Sequence, residues 1–101
     1  MDDGQLGDQT SFQVLRRGTD VISSDGVVVG AVRQVRWDGR TNIFDGIVVA
    51  PKDGGGNKFV DAPEVEAIHE RGVLILHTAA EIPGLPAPRR YLPLWMRRLG
   101  F

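Results

Sequence analysis

The stretch SSDGVVVGAVRQV, residues 23–35, limits the fold more than any other part of the chain. An Asp-Gly pair opens it, a run of β-branched valines follows, and Gly30 interrupts that run. Valine favours extended backbone because its branched Cβ packs well on a pleated surface. Ser24-Asp25-Gly26 tolerates the positive φ of a tight hairpin. A turn leading into a strand over residues 27–37 is therefore expected. Strict alternation would put Val27, Val29, Ala31, Val35 and Trp37 on one face, with Val28, Val32, Gln34 and Arg36 on the other. Yet Val29, Val32 and Val35 recur at every third position, which a flat strand cannot hold on one side. A bulge or sharp coil near Gly30 can, because one extra residue flips the facing and bends the strand toward a barrel corner. Glycine adopts such backbone cheaply. Gly46, inside FDGIVV, is suited to the same part in the neighbouring strand.

The rest of the centre repeats this grammar. TDVIS, residues 19–23, reads as a short strand before the first turn. A second Asp-Gly turn spans 38–42, and IFDGIVVA, 43–50, is the next strand. PKDGGG, 51–56, is a loop, NKFVDA a fourth short strand, and GVLILHT, 72–78, the last. PEVEAI, from Pro63, reads as a helical turn, since proline suits the first helical position. FQVLRR, 12–17, is compatible with a lead-in strand or a turn of helix. No helix of about ten residues or more separates the strands, which excludes a βαβ plan. The fold class is all-β: a small antiparallel barrel of five to six short strands with one helical turn and a proline-rich C-terminal tail. Residues 1–11, polar and aperiodic, are expected to be a disordered acidic leader. The barrel occupies 12–78 and the tail 79–101.

Composition narrows the function. The 101 residues suit one domain with a modest core, and 42% hydrophobic with 25% charged is an ordinary globular balance. Absence of cysteine excludes disulfides, thiolate metal sites and a cysteine nucleophile, and it fits a reducing compartment. The first residues carry no signal-peptide pattern and no apolar run reaches ~20 residues, so a cytoplasmic protein is expected. A net charge of −1 provides no global field for nucleic acid. GGGNK, 54–58, has glycines beside Lys58, but no Ser/Thr and helix follow, so a hairpin loop is expected rather than a phosphate cradle. His69 and His77, with Glu64, Glu66 and Glu70 nearby in sequence, read as solvated surface. Ser11, Ser23 and Ser24 have no base and orienting acid in context, so no catalytic residue is assigned.

The order of signals over residues 18–77 resembles the PRC-barrel family. Gly18, Val21, Ser24-Asp25-Gly26, Val29-Gly30, Val32 and Val35 match its opening strand, turn and long strand. Ile47-Val48-Val49, Ala62-Pro63, Val65, Ile68 and Val73–Ile75 match its later hairpin and closing strand. The resemblance implies a small β-barrel acting as a docking module, as in the cytoplasmic part of the photosynthetic reaction-centre H subunit and the C-terminal domain of a ribosome maturation factor. That family shares no catalytic motif, so no functional residue transfers. The leader and tail have no counterpart in its pattern.

The tail supplies the candidate contact residues. It holds four prolines, Pro83, Pro86, Pro88 and Pro93, and so should begin extended, with a short helix from Pro93. Arg89, Arg90, Tyr91, Leu94, Trp95, Arg97 and Arg98 mix aromatics with arginine. Three readings follow. The aromatics dock on the protein's own barrel, covering a face or strand edge. They anchor a protein partner or a second copy, since Trp, Tyr and Arg are favoured anchors. Or they touch RNA or a membrane surface, where arginine with aromatics suits stacked bases and headgroups. The expected function is a non-enzymatic protein-interaction module, self-association included, with an RNA- or ribosome-associated accessory domain as the alternative and peripheral membrane docking as the weaker one. Neither a cofactor nor a small-molecule substrate is expected.

Overall fold

The computed structural model describes residues 3–89. Six strands form one sheet: β1 (Asp20–Ile22), β2 (Val28–Asp38), β3 (Ile43–Pro51), β4 (Lys58–Asp61), β5 (Val65–His69) and β6 (Gly72–Ile75). Helical structure among the described residues is limited to one α-turn at Asp3–Leu6 and 3-10 turns at Phe12–Val14, Ala62–Glu64 and Ala79–Gly84. The chain is all-β, and FQVLRR resolves into a helical turn. PEVEAI does not form one along its length. The 3-10 turn stops at Glu64, and Val65–His69 pairs with β6 as a strand.

The strand order is β4-β3-β2-β1-β6-β5. Neighbours are antiparallel except β1 and β6, which run parallel with Val21 opposite Val73. A wholly antiparallel sheet is thus corrected at one pair. Strands joined by hairpins must alternate, but β1 and β6 are linked only through the other four strands and are free to run together. It follows that β4 and β5, the two outermost strands, point the same way. They are joined by only the three residues Ala62–Glu64. In a flat sheet they would lie five strand spacings apart, roughly 24 Å. Four Cα steps from Asp61 to Val65 span at most about 15 Å. The sheet must therefore curl, bringing its two edges toward each other. β4 and β5 are not paired, so the sheet is open at that seam.

The curl encloses one apolar cluster fed by every strand: Val21, Val29, Val32, Ile47, Val49, Val60, Ile68, Val73 and Ile75, with Ile82 from the last 3-10 turn. Register shifts bend the sheet around it. Opposite β1, Val29 is an extra residue between the pairs Ile22–Val28 and Val21–Gly30. Opposite β3, Arg33 is extra between Val32 and Gln34, and on β3 Asp45 is extra between Phe44 and Gly46. These insertions let Val32 be buried and Val35 pack against the same cluster although they are three positions apart. Gly30 has no positive φ. Its need is space: a Cβ there would strike the Ala50 carbonyl oxygen and sit 3.0 Å from Val49 Cγ1. Gly46 has both constraints, φ of 150° and the Val60 carbonyl where a Cβ would go.

Each exposed edge is covered by a terminal segment. Thr10 N–H donates to Ile68 O (2.8 Å), Glu70 N–H to Asp8 O (3.0 Å) and Arg71 N–H to Leu6 O (2.8 Å), which lays residues 6–10 along β5. Leu6 is 2% exposed and sits over Gly72, where a Cβ would come within 2.8 Å of it. The expected disordered leader is therefore corrected for this stretch. Its polar composition hides one buried leucine and a row of backbone hydrogen bonds. At the other edge Phe59 N–H donates to Pro86 O (2.8 Å) and Lys58 Nζ to Pro83 O (3.1 Å). These segments lie over edges whose unpaired backbone groups would otherwise invite aggregation.

Two stability predictions follow. Leu6→Ala should cost about 2–3 kcal/mol by urea denaturation, the range for a buried leucine leaving a partly collapsed cavity. A loss under a few tenths would mean that the segment does not hold the edge. Gly30→Ala should cost about 1–3 kcal/mol by overpacking against the β3 backbone. An unchanged urea midpoint would show that the strands can separate there without strain.

Candidate functional site

The site is built where three chain segments meet on the face of β2 and β3. Gly18 N–H donates to Val32 O and Val32 N–H to Thr19 O, both at 2.8 Å, which fixes the approach of residues 15–19 to β2. Leu15 and Arg17 border a groove of about 480 Å³ whose other members are Arg33, Gln34, Val35, Arg36, Val48, Asn57 and Pro88. Val48 is 2% exposed yet stands apart from the main apolar cluster, so the groove has its own apolar member. Among the described residues, the side chains lining it include three guanidinium groups and no carboxylate.

Arg36 ties this groove to the C-terminal segment. Its Nη1 donates to the Arg89 carbonyl, its Nε donates to Gln34 Oε1 at 3.1 Å, and its Cζ lies 5.6 Å from the centroid of the Phe59 ring. Residues 83–89 thus run along β4 and reach Arg89 beside Arg36. The side chains of Arg17 and Arg33 make no hydrogen bond or ion pair to any described residue. Of the tail residues singled out from sequence, Arg89 is described and exposed. Arg90, Tyr91, Leu94, Trp95, Arg97 and Arg98 lie outside the described residues.

Sequence reasoning missed Arg17, Arg33 and Arg36. Period-two counting put Arg36 on one face and Arg33, by parity, on the other. The extra residue at Arg33 changes that phase and lets both line one groove. The signal was present in the third-position recurrence of Val29, Val32 and Val35, which already pointed to lost alternation.

At the opposite end of β2, Ser23-Ser24-Asp25-Gly26 forms the turn. Ser23 is 2% exposed, and its hydroxyl hydrogen-bonds the Asp25 carboxylate and lies 3.1 Å from the Val27 N–H, which donates to it. Gly26 has φ of 82°, a conformation glycine takes without strain. The Asp25 carboxylate also accepts from Ala79 N–H at 3.1 Å, clamping the hairpin to the start of the Ala79–Gly84 turn. The Ser23 hydroxyl first, then the Ala79 N–H, hold the Asp25 pKa below its ordinary 3.8. A lowered folded-state pKa gives stability that is present above 3.8 and is lost as pH falls through the lower folded value. Asp25→Asn should therefore lower the thermal midpoint at neutral pH, and the gap from the parent chain should close in acid. A gap independent of pH would show that the charge is not what the turn uses.

The remaining candidates find structural places. Gly54, Gly55 and Gly56 all have positive φ in the β3–β4 loop, and a second cavity of about 230 Å³ lies between that loop and residues 79–83. His69 is buried, not solvated: its Nδ1 is 3.0 Å from Gly7 O, so with the proton on Nδ1 it holds the N-terminal segment. His77 Nε2 is 2.7 Å from Glu64 Oε2 but is not aligned with it as a hydrogen bond requires. Glu81 lies farther away and accepts from the Thr78 N–H and hydroxyl, which lower its pKa, the backbone donor more. Among the described residues no group of three or more His, Asp or Glu side chains is placed to hold a metal ion, and no helix is long and apolar enough to cross a membrane. No protein-family model matches the chain, and comparison with curated proteins finds no match.

Proposed function

We propose that the chain is a non-enzymatic, PRC-barrel-like interaction module. On this reading the curled sheet is a small barrel whose β4–β5 seam is sealed by the terminal segments, and it works through protein–protein contacts in a cytoplasmic setting. The observation that carries the reading is the path of residues 83–89. Phe59, Lys58 and Arg36 hold that segment along β4 to a groove lined by arginines. A stretch with Tyr91, Leu94, Trp95, Arg97 and Arg98 follows Arg89 directly in sequence. Such aromatics and arginines are the side chains that most often anchor interfaces. Self-association through this segment is the simplest form of the proposal, because a small barrel gains stability from area buried across subunits.

Light scattering on the full chain and on a chain ended after Arg89 tests it, since that end keeps Ile82 and Pro86 in place. The full chain should form a larger species that the shortened chain does not. Identical monomers would remove tail-driven assembly.

A second reading, an RNA- or ribosome-associated accessory domain, draws support from Arg17, Arg33 and Arg36, which add to the four arginines of the tail. RNA affinity would then fall steeply as salt rises, by release of counterions from phosphates.

A further inference from the structure

We infer that the groove between residues 15–17, β2 and Pro88 binds an acidic segment of a partner protein, with carboxylates on Arg17 and Arg33 and an apolar side chain against Leu15, Val35 and Pro88. The inference rests on the interaction-module reading and gives that module's partner its chemistry. Charge is the first reason. Arg17, Arg33 and Arg36 line one groove in which no described residue supplies a carboxylate, and the side chains of Arg17 and Arg33 pair with no described residue. Guanidinium forks match carboxylates in a two-point geometry that lysine cannot copy. Shape is the second. The open groove, about 480 Å³, has room for a few side chains of an extended segment. Its apolar members, Leu15, Val35, Val48 and Pro88, favour a mixed acidic and apolar sequence over a purely ionic ligand.

Other occupants fit less well. The chain's own residues 90–101 carry three arginines and no acidic side chain, so they offer the groove no carboxylate side chain. Single-stranded nucleic acid needs aromatic faces for its bases. Among the described residues no aromatic side chain lines this groove, and Arg36 already lies over the ring of nearby Phe59.

Fluorescence anisotropy on the full-length protein tests the inference. The probes are a short labelled peptide of glutamates around a central leucine, the same peptide with glutamine for glutamate, and single-stranded oligouridine. The acidic peptide should bind saturably and the glutamine peptide should not. Arg17→Ala and Arg33→Ala should each weaken binding about tenfold, the loss expected for one charge-assisted hydrogen bond. Arg33→Lys should retain part of the affinity. Both arginines are exposed, so circular dichroism should be unchanged in these variants. Equal binding of the two peptides, or binding indifferent to both alanine variants, would overturn the inference. Oligouridine binding more tightly than the acidic peptide, and lost in the same variants, would overturn it in favour of RNA. The module reading is judged separately by light scattering. Tail-dependent assembly without acidic-peptide binding sinks the groove alone, and absence of both sinks the two together.

Discussion

The short link between β4 and β5 governs this structure. Those strands sit at opposite ends of the strand order yet are separated by three residues. No flat arrangement satisfies both facts, so the sheet bends, and everything else accommodates that bend. The extra residues at Val29, Arg33 and Asp45 supply local coiling. Glycines stand where the coiled backbones come too close for a side chain, at Gly30 against Ala50 and at Gly46 against Val60. The apolar cluster is what the bend encloses, and its burial is the driving force that holds the curl.

The bend also decides where the surface becomes useful. An extra residue in a strand reorients its neighbours, and the one at Arg33 brings two arginines to the same groove. The segments that cover the edges come from the two ends of the chain. Residues 6–10 attach to β5 through backbone bonds and Leu6, and residues 83–89 attach to β4 through Phe59 and Lys58. The second of these runs up to the groove. Edge protection and the candidate binding surface are thus served by the same stretch of chain.

Much of the strand layout was legible because β-branched runs bounded by Asp-Gly turns admit few alternatives. β5 was not. Pro63 followed by Glu64, Val65 and Glu66 reads locally as a helical turn, and only pairing of Val65–His69 with β6 makes it a strand. The N-terminal segment escaped because its order comes from long-range backbone bonds, which composition does not encode. The bulge beside Gly30 is legible in the sequence and lies at Val29, but the glycine itself is required for space rather than for its φ, and the nearness of Ala50 is a fact about another strand. The groove was hidden by the phase change at Arg33, since alternation is counted along one strand and an insertion is defined only against its partner. His69 was read as surface because Gly7, its contact, is far away in sequence.

The parallel pairing of β1 with β6 has an implication for how the chain acquires its shape. Val21 is completely buried between Gly30 on one side and Val73 on the other. Its second neighbour lies some fifty residues further along the chain. Closing so long a loop costs chain entropy before the contact repays it, so pairings of this kind raise the contact order and slow folding relative to a chain built from local hairpins alone.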